Sequence, residues 1–257
     1  MKNILIIKNF LNKIHFDKIT YIFIFLCLIT GLFKEIIGIM LLIIIHELGH
    51  FIMAYCYHIN VRSINIYPFG GVIKYDSVID RPFKEELLIN IMGPVFQIVL
   101  YIVICLLYKN YLISDYFFNI FKNYHYSMLL LNIMPVIPLD GSKILNIFLN
   151  KLFNFQLSYK MLFYISVIIT IVLVIYFNNY SYIFVISFII IELIYYIKNK
   201  NYIFNRFIYE RYLYENRFKK YKKVKSIDKM YRNKKNLIKY NKIYITEKEC
   251  IKKIKGV

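Results

Sequence analysis

Apolar residues in this sequence are gathered into six long blocks, at roughly 19–33, 36–57, 86–108, 124–149, 159–177 and 180–197. About 20 apolar residues coiled as a helix cross the roughly 30 Å hydrocarbon core of a bilayer. Lipid offers the backbone no hydrogen-bond partner, so an unbroken apolar block that lies in it must be helical. The chain therefore reads as an all-α polytopic membrane protein with about six transmembrane helices. The first block is short for a full crossing and starts a few residues earlier or lies askew. The overall hydrophobic share, 59% of 257 residues, agrees. Soluble domains sit nearer half and spread their apolar residues in amphipathic patterns.

A net charge of +19 suggests nucleic acid only until its distribution is seen. Much of it follows residue 197, and a second cluster lies in the first eighteen residues. An inside N-terminus places Lys2, Lys8, Lys13, Lys18, the 58–85 loop (Arg62, Lys74, Arg81, Lys84), Lys151 and the tail in the cytoplasm. Lys34, Lys109 and Lys122 then face outward, an asymmetry that the positive-inside rule favours. The expectation is a multi-pass cell-membrane protein with both termini cytoplasmic, its basic flanks against anionic lipid and no nucleic-acid partner. No small-x-small cleavage site follows Phe33, so the first run reads as an uncleaved span. The four cysteines, Cys27, Cys56, Cys105 and Cys250, are scattered and fit neither a zinc knuckle nor a disulfide framework.

Two segments depart from the helical pattern. Residues 63–67 alternate, Pro68-Phe69-Gly70-Gly71 makes a turn, and Val72 to Tyr75 resumes. That predicts a small hairpin-like unit re-entering near the membrane. The tail mixes aromatic and basic residues, with Thr246 and Glu249 spaced as a capping box before a last helix. The expected organisation is a six-span domain at 1–197 and a short basic cytoplasmic tail at 198–257, too short for much independent core.

The chemistry lies in His46-Glu47-Leu48-Gly49-His50, within the second block. Residues four apart share one helix face, so both imidazoles can hold one Zn2+ ion. Glu47 projects beside them as a general base toward water acidified by the metal. Ionisable groups at membrane depth are costly, which makes a structural role for all three a poor explanation. A tetrahedral catalytic zinc needs a third protein ligand. Asp140 and Glu192 are the intramembrane carboxylates in reach. At 1.5 Å per residue, His46 and His50 lie about 15 and 21 Å into their block, Asp140 about 24 Å and Glu192 about 18 Å. Asp140 follows Pro135 and Pro138, which break the helix, and broken backbone at membrane depth lines protein or a cavity. That setting favours Asp140. His15, His58 and His125 read as interfacial histidines.

HELGH at 46–50, the Gly93-Pro94 pair and the run from Asn132 to Gly141 (Asn132-x-x-Pro135-x-x-Pro138-Leu-Asp140-Gly141) together resemble the site-2 protease family of intramembrane metalloproteases. Pro68-Phe69-Gly70-Gly71 is similar to its sporulation branch. The likeness covers about residues 1–200. It implies that His46, His50 and Asp140 ligate zinc, that Glu47 is the catalytic base, and that Asn132 steadies the oxyanion. It implies that Ile66, Phe69, Gly70, Gly71 and Val72 bind substrate by strand addition. The substrate implied is a membrane-associated pro-sigma factor, processed in the mother-cell membrane around the forespore, with inhibitory membrane proteins as further partners. Gln97 stands where the family often has Asn. Residues from Val224 onward resemble the start of a nucleotide-sensing CBS domain, here abbreviated.

A transporter moving ions or protons past buried His, Glu and Asp is the rival from another class. It explains the spans and the broken helix but not a Glu directly after the first His at this spacing. A catalytically dead scaffold is disfavoured by the intact ligands and base.

Overall fold

The computed structural model describes residues 9–68, 70–76, 81–176, 183–213, 218, 220–241 and 243–255, with the side chains of 254 and 255 excepted. Lys2, Lys8 and Phe69 lie outside the described residues. The chain divides into two compact units. One comprises residues 1–77 and 87–133, the other 78–86 and 134–257.

The first unit begins with β1 (Ile14–Phe16) and α1 (Lys18–Ile29), followed by α2 (Phe33–Cys56). Asp17 caps α1, its carboxylate accepting from the Ile19 amide at 3.1 Å in the manner of N-cap acids. Strands β2 (Val61–Tyr67) and β3 (Gly70–Tyr75) form an antiparallel hairpin, with Ile64 opposite Ile73 and Ile66 opposite Gly71. Gly70 carries φ of 156° at its turn, a backbone state open mainly to glycine. β1 joins β2 in parallel, so the sheet runs β1-β2-β3 and β3 is an edge. Thr20 and the Asp17 amide both donate to the Ile66 carbonyl, at 2.7 and 3.1 Å. Helices α3 (Phe83–Lys109, whose first turn belongs to the other unit) and α4 (Asp115–Ile133) complete the unit. Phe10, Leu42, Ile43, Phe51, Ile64, Ile66 and Phe121 form its core, with Phe10 edge-on to Phe51 at 5.2 Å.

The second unit contains α5 (Asp140–Leu152), α6 (Phe155–Tyr176), α7 (Ile183–Lys198) and α8 (Lys200–Leu213). The break between α4 and α5 falls where Pro135 and Pro138 cannot donate in a helix. Three of its amides are nevertheless bonded: Val136 and Leu139 amides bond back to Met134 and Val136 carbonyls at 2.8 Å, and Ser166 accepts from the Ile137 amide at 3.2 Å. Val136 and Ile137 pack with Leu149, Leu162, Ile189 and Leu193 as a second core.

The C-terminal segment is more than a tail. Strands β4 (Tyr221–Val224), β5 (Lys235–Tyr240) and β6 (Ile243–Thr246) form a sheet, parallel then antiparallel, followed by α9 (Glu247–Lys255). The capping box forms, with Glu249 accepting from the Thr246 amide at 3.2 Å and Thr246 from the Glu249 amide at 3.4 Å. A third core joins Phe207, Ile208, Val224, Met230, Ile238, Cys250 and Ile251 to Phe155. The Phe155 ring stacks on Phe207 at 4.4 Å. Burial pushes the Cys250 thiol up, with Lys253 drawing it partly back. Arg232 pairs with Glu86 at 2.7 Å, tying the first turn of α3 into this unit. The expected boundary at 197/198 is thus not where the fold divides, because the segment completes its core with a residue of α6.

Three helices among the described residues are long and apolar enough to cross a membrane: α2, α3 and α6, of 24, 27 and 22 residues. The 12-residue α1 is apolar but shorter. Helix α4 has 19 residues and α7 has 16.

Candidate active site

After Lys34 and Glu35 in its first turn, helix α2 carries its ionisable residues at His46, Glu47 and His50, which are 2–3% exposed. The ligand atoms of these three side chains lie within 4.8 Å of one another. Each imidazole is held from behind. His50 Nδ1 lies 2.7 Å from the Ile89 carbonyl, and a carbonyl oxygen can only accept. Pro94 lacks an N–H, so the Asn90 carbonyl, next to Ile89, has no helical donor four residues on. His46 Nδ1 lies 3.2 Å from Gln97 Oε1. The Gln97 amide nitrogen in turn sits 2.9 Å from the His125 carbonyl, so its NH2 points there and its oxygen faces His46.

Both Nδ1 atoms therefore carry protons, which in neutral imidazoles puts the acceptor lone pair on each Nε2. Those Nε2 atoms stand 3.1 Å apart. Two lone pairs that close repel unless a cation takes both. Two imidazole nitrogens bound to one tetrahedral zinc at about 2.0–2.1 Å stand about 3.3 Å apart, so the donor set fits Zn2+ and its outer partners fix the tautomer as in known zinc sites.

Two glycines make room. A Cβ on Gly93 would stand 2.5 Å from His50 Cε1 and 2.8 Å from His46 Nε2, and closer still to His50 Nε2. A Cβ on Gly71 would stand 2.6 Å from Glu47 Oε1. The second contact means that β3, an edge strand, runs directly over the carboxylate of Glu47.

The other expected site residues are placed as follows. Asp140, 4% exposed, is the first residue of α5 in the second unit, where the helix dipole favours an anion. It pairs with Lys143 at 2.8 Å. Glu192 is half-buried on α7 in the same unit. Asn132 is half-buried in the last turn of α4, in the first unit. Gly70, Gly71 and Val72 lie on the edge strand β3. Ile66 does not: it is fully buried on the central strand, between β1 and β3. Its side chain belongs to the core, and a substrate strand cannot pair with it. Sequence reasoning also missed His125, which is 2% exposed and stacked on Tyr101 at 4.3 Å rather than interfacial. Its contact with the buried Gln97 of the neighbouring helix α3 is what reveals it.

Residues 34–123 match Peptidase family M50, and among the proteins this chain resembles are a zinc metalloprotease and a solved site-2 protease. The chain is similar to stage IV sporulation protein FB of Bacillus subtilis (strain 168), at 33% identity over 149 residues, 58% of this chain and 52% of that protein. It is similar to zinc metalloprotease MJ0392 of Methanocaldococcus jannaschii, at 34% identity over 161 residues, 55% of this chain and 44% of that protein. The solved site-2 protease from Methanocaldococcus jannaschii superposes with a TM-score of 0.57 at 25% identity, covering 70% of this chain and 89% of that one. The chain spans about half the length of the curated relatives it matches. Apolar helices and membrane-protease relatives together make it a multi-pass membrane protein of mostly helical, site-2-protease-like fold.

Proposed function

We propose that this chain is an intramembrane zinc metalloendopeptidase that hydrolyses a peptide bond in a membrane-associated protein. The observation that carries this reading is the pair of tautomer-fixed histidines beside a buried Glu47 that lies under an edge strand. His46 and His50 hold zinc, with Asp140 as third ligand on the strength of the family resemblance and its broken-helix setting. Zinc there supplies a Lewis acid that polarises the scissile carbonyl and acidifies water. Glu47 takes the water proton and returns it to the departing amine nitrogen. The Asn132 amide donates to the developing oxyanion. The substrate lies extended along β3, its backbone pairing with Gly70, Gly71, Val72 and Ile73, because Gly71 brings that edge against the base.

Six crossings with both termini cytoplasmic agree with the charge asymmetry of the loops, with α1, α4 and α7 completing the count beside the three longest helices. The hairpin then stands at the cytoplasmic side, re-entering toward the site. The relative named for stage IV of sporulation favours a pro-sigma factor as substrate, cut in the mother-cell membrane, with membrane proteins as inhibitors. Co-expression with such a factor should yield a shortened product with the unmodified protein and none with Glu47→Gln. A product equally abundant in both would remove the assignment.

Strand pairing makes its own prediction. Successive amides of a strand point to opposite sides, so one of Val72 and Ile73 donates within the hairpin and the other outward. Proline at the outward position should lower processing about tenfold or more while zinc content stays intact. Unchanged trimming by both the Val72→Pro and Ile73→Pro proteins would show that substrate does not pair with this edge.

A further inference from the structure

Gln97 is fully buried, on the face of α3 that meets both α2 and α4. A buried amide satisfied on both sides carries directional information that an apolar residue could not. Its NH2 lies 2.9 Å from the His125 carbonyl and 3.5 Å from His125 Nδ1, both acceptors from it. Its oxygen is thereby left to His46 Nδ1, at 3.2 Å. The His125 ring is itself clamped, stacked nearly parallel on Tyr101 at an interplanar angle of 8°. The chain of contacts runs from α4 through α3 to α2 and ends at the ring whose far nitrogen faces His50.

We infer that Gln97 is a positioning residue for His46: by accepting from Nδ1–H it holds the imidazole in the tautomer and rotation that present Nε2 to zinc. The inference rests on the zinc-protease reading above. Without Gln97 Oε1, neutral His46 is free to place its proton on Nε2, which abolishes its lone pair at the metal, and the ring is free to turn. Its partner His50 needs no such residue, because the Ile89 carbonyl does the same for it. The two ligands are thus fixed by different means, one by main chain and one by a side chain that substitution can reach.

Cobalt(II) is a spectroscopic stand-in for zinc, and its visible absorption reports ligand number and geometry. Purified protein in detergent, matched for monodispersity, is titrated with cobalt and then with zinc against a chelator. Gln97→Leu should lose about 10–100-fold in metal affinity, the usual range for a lost outer partner, with a weakened cobalt band. Gln97→Glu should bind at least as tightly as the unmodified protein, since a carboxylate accepts from Nδ1–H and raises the basicity of the imidazole. The second variant separates the inference from a merely structural role. It keeps the acceptor toward His46 but cannot donate to the His125 carbonyl. If Gln97 only ties α3 to α4, Gln97→Glu must suffer along with Gln97→Leu, and that result overturns the inference. Affinity of Gln97→Leu within twofold of the unmodified protein overturns it as well. An unmodified protein that binds no cobalt removes the zinc-protease reading itself, an outcome visible before either variant is compared.

Discussion

Glu47→Gln is expected to bind zinc as the unmodified protein does and to cleave about 10²–10⁴-fold more slowly, the usual contribution of a positioned general base. The carboxylate is 3% exposed and lies beside the paired imidazoles. Glutamine has its size and keeps an oxygen acceptor, so packing against Gly71 changes little. What is lost is the capacity to take a proton from water and pass it to the leaving nitrogen. Equal zinc content with cleavage reduced by that factor, measured on reconstituted substrate, is the expected pair of readings. A variant that loses zinc in step with activity would make Glu47 a ligand instead of a base.

Gly93→Ala should empty the metal site while disturbing little else. The added methyl meets Nε2 of both ligand histidines, the two atoms that must face the ion. Overpacking a core by one carbon costs about 1–3 kcal/mol when neighbours can shift. Here relief requires the imidazoles to turn, and turning breaks their bonds to Ile89 and Gln97. Zinc affinity should fall at least 100-fold in a protein that still folds. Metal analysis after dialysis against a weak chelator checks it. Full zinc occupancy in Gly93→Ala would show that the rings have room that the structure denies them.

The legible parts of this molecule were those set by local rules. HELGH could be placed on one helix face because four residues make nearly one turn, and Pro135 and Pro138 announced the break before Asp140. The Thr246–Glu249 box was readable for the same reason. What escaped depends on contacts distant in sequence. The hairpin alternation was visible, but its edge was not, because β1 is only three residues, Ile14 to Phe16, and nothing in them advertises a strand. Without β1, Ile66 looks available to a substrate; with it, Ile66 is core. Taken alone the C-terminal segment is too short for a core, whereas Phe155 of α6 supplies part of that core. In the sequence Gln97 stands out only as a departure from a motif. Its bond to His46 spans 51 residues and depends on how α3 passes α2.

Zinc content is the measurement that bears most directly on a catalytic metal held by His46, His50 and Asp140. It is read on purified, monodisperse protein for the unmodified chain, Asp140→Asn and Glu192→Gln. Both substitutions preserve size and remove one carboxylate from the second unit. A ligand must lose metal affinity on this change, whereas a structural carboxylate affects yield or stability. The unmodified chain and Glu192→Gln should each carry about one zinc, as a single three-ligand catalytic site requires, and Asp140→Asn should carry far less. Zinc retained by Asp140→Asn and lost by Glu192→Gln, or no zinc in the unmodified chain, would contradict the account.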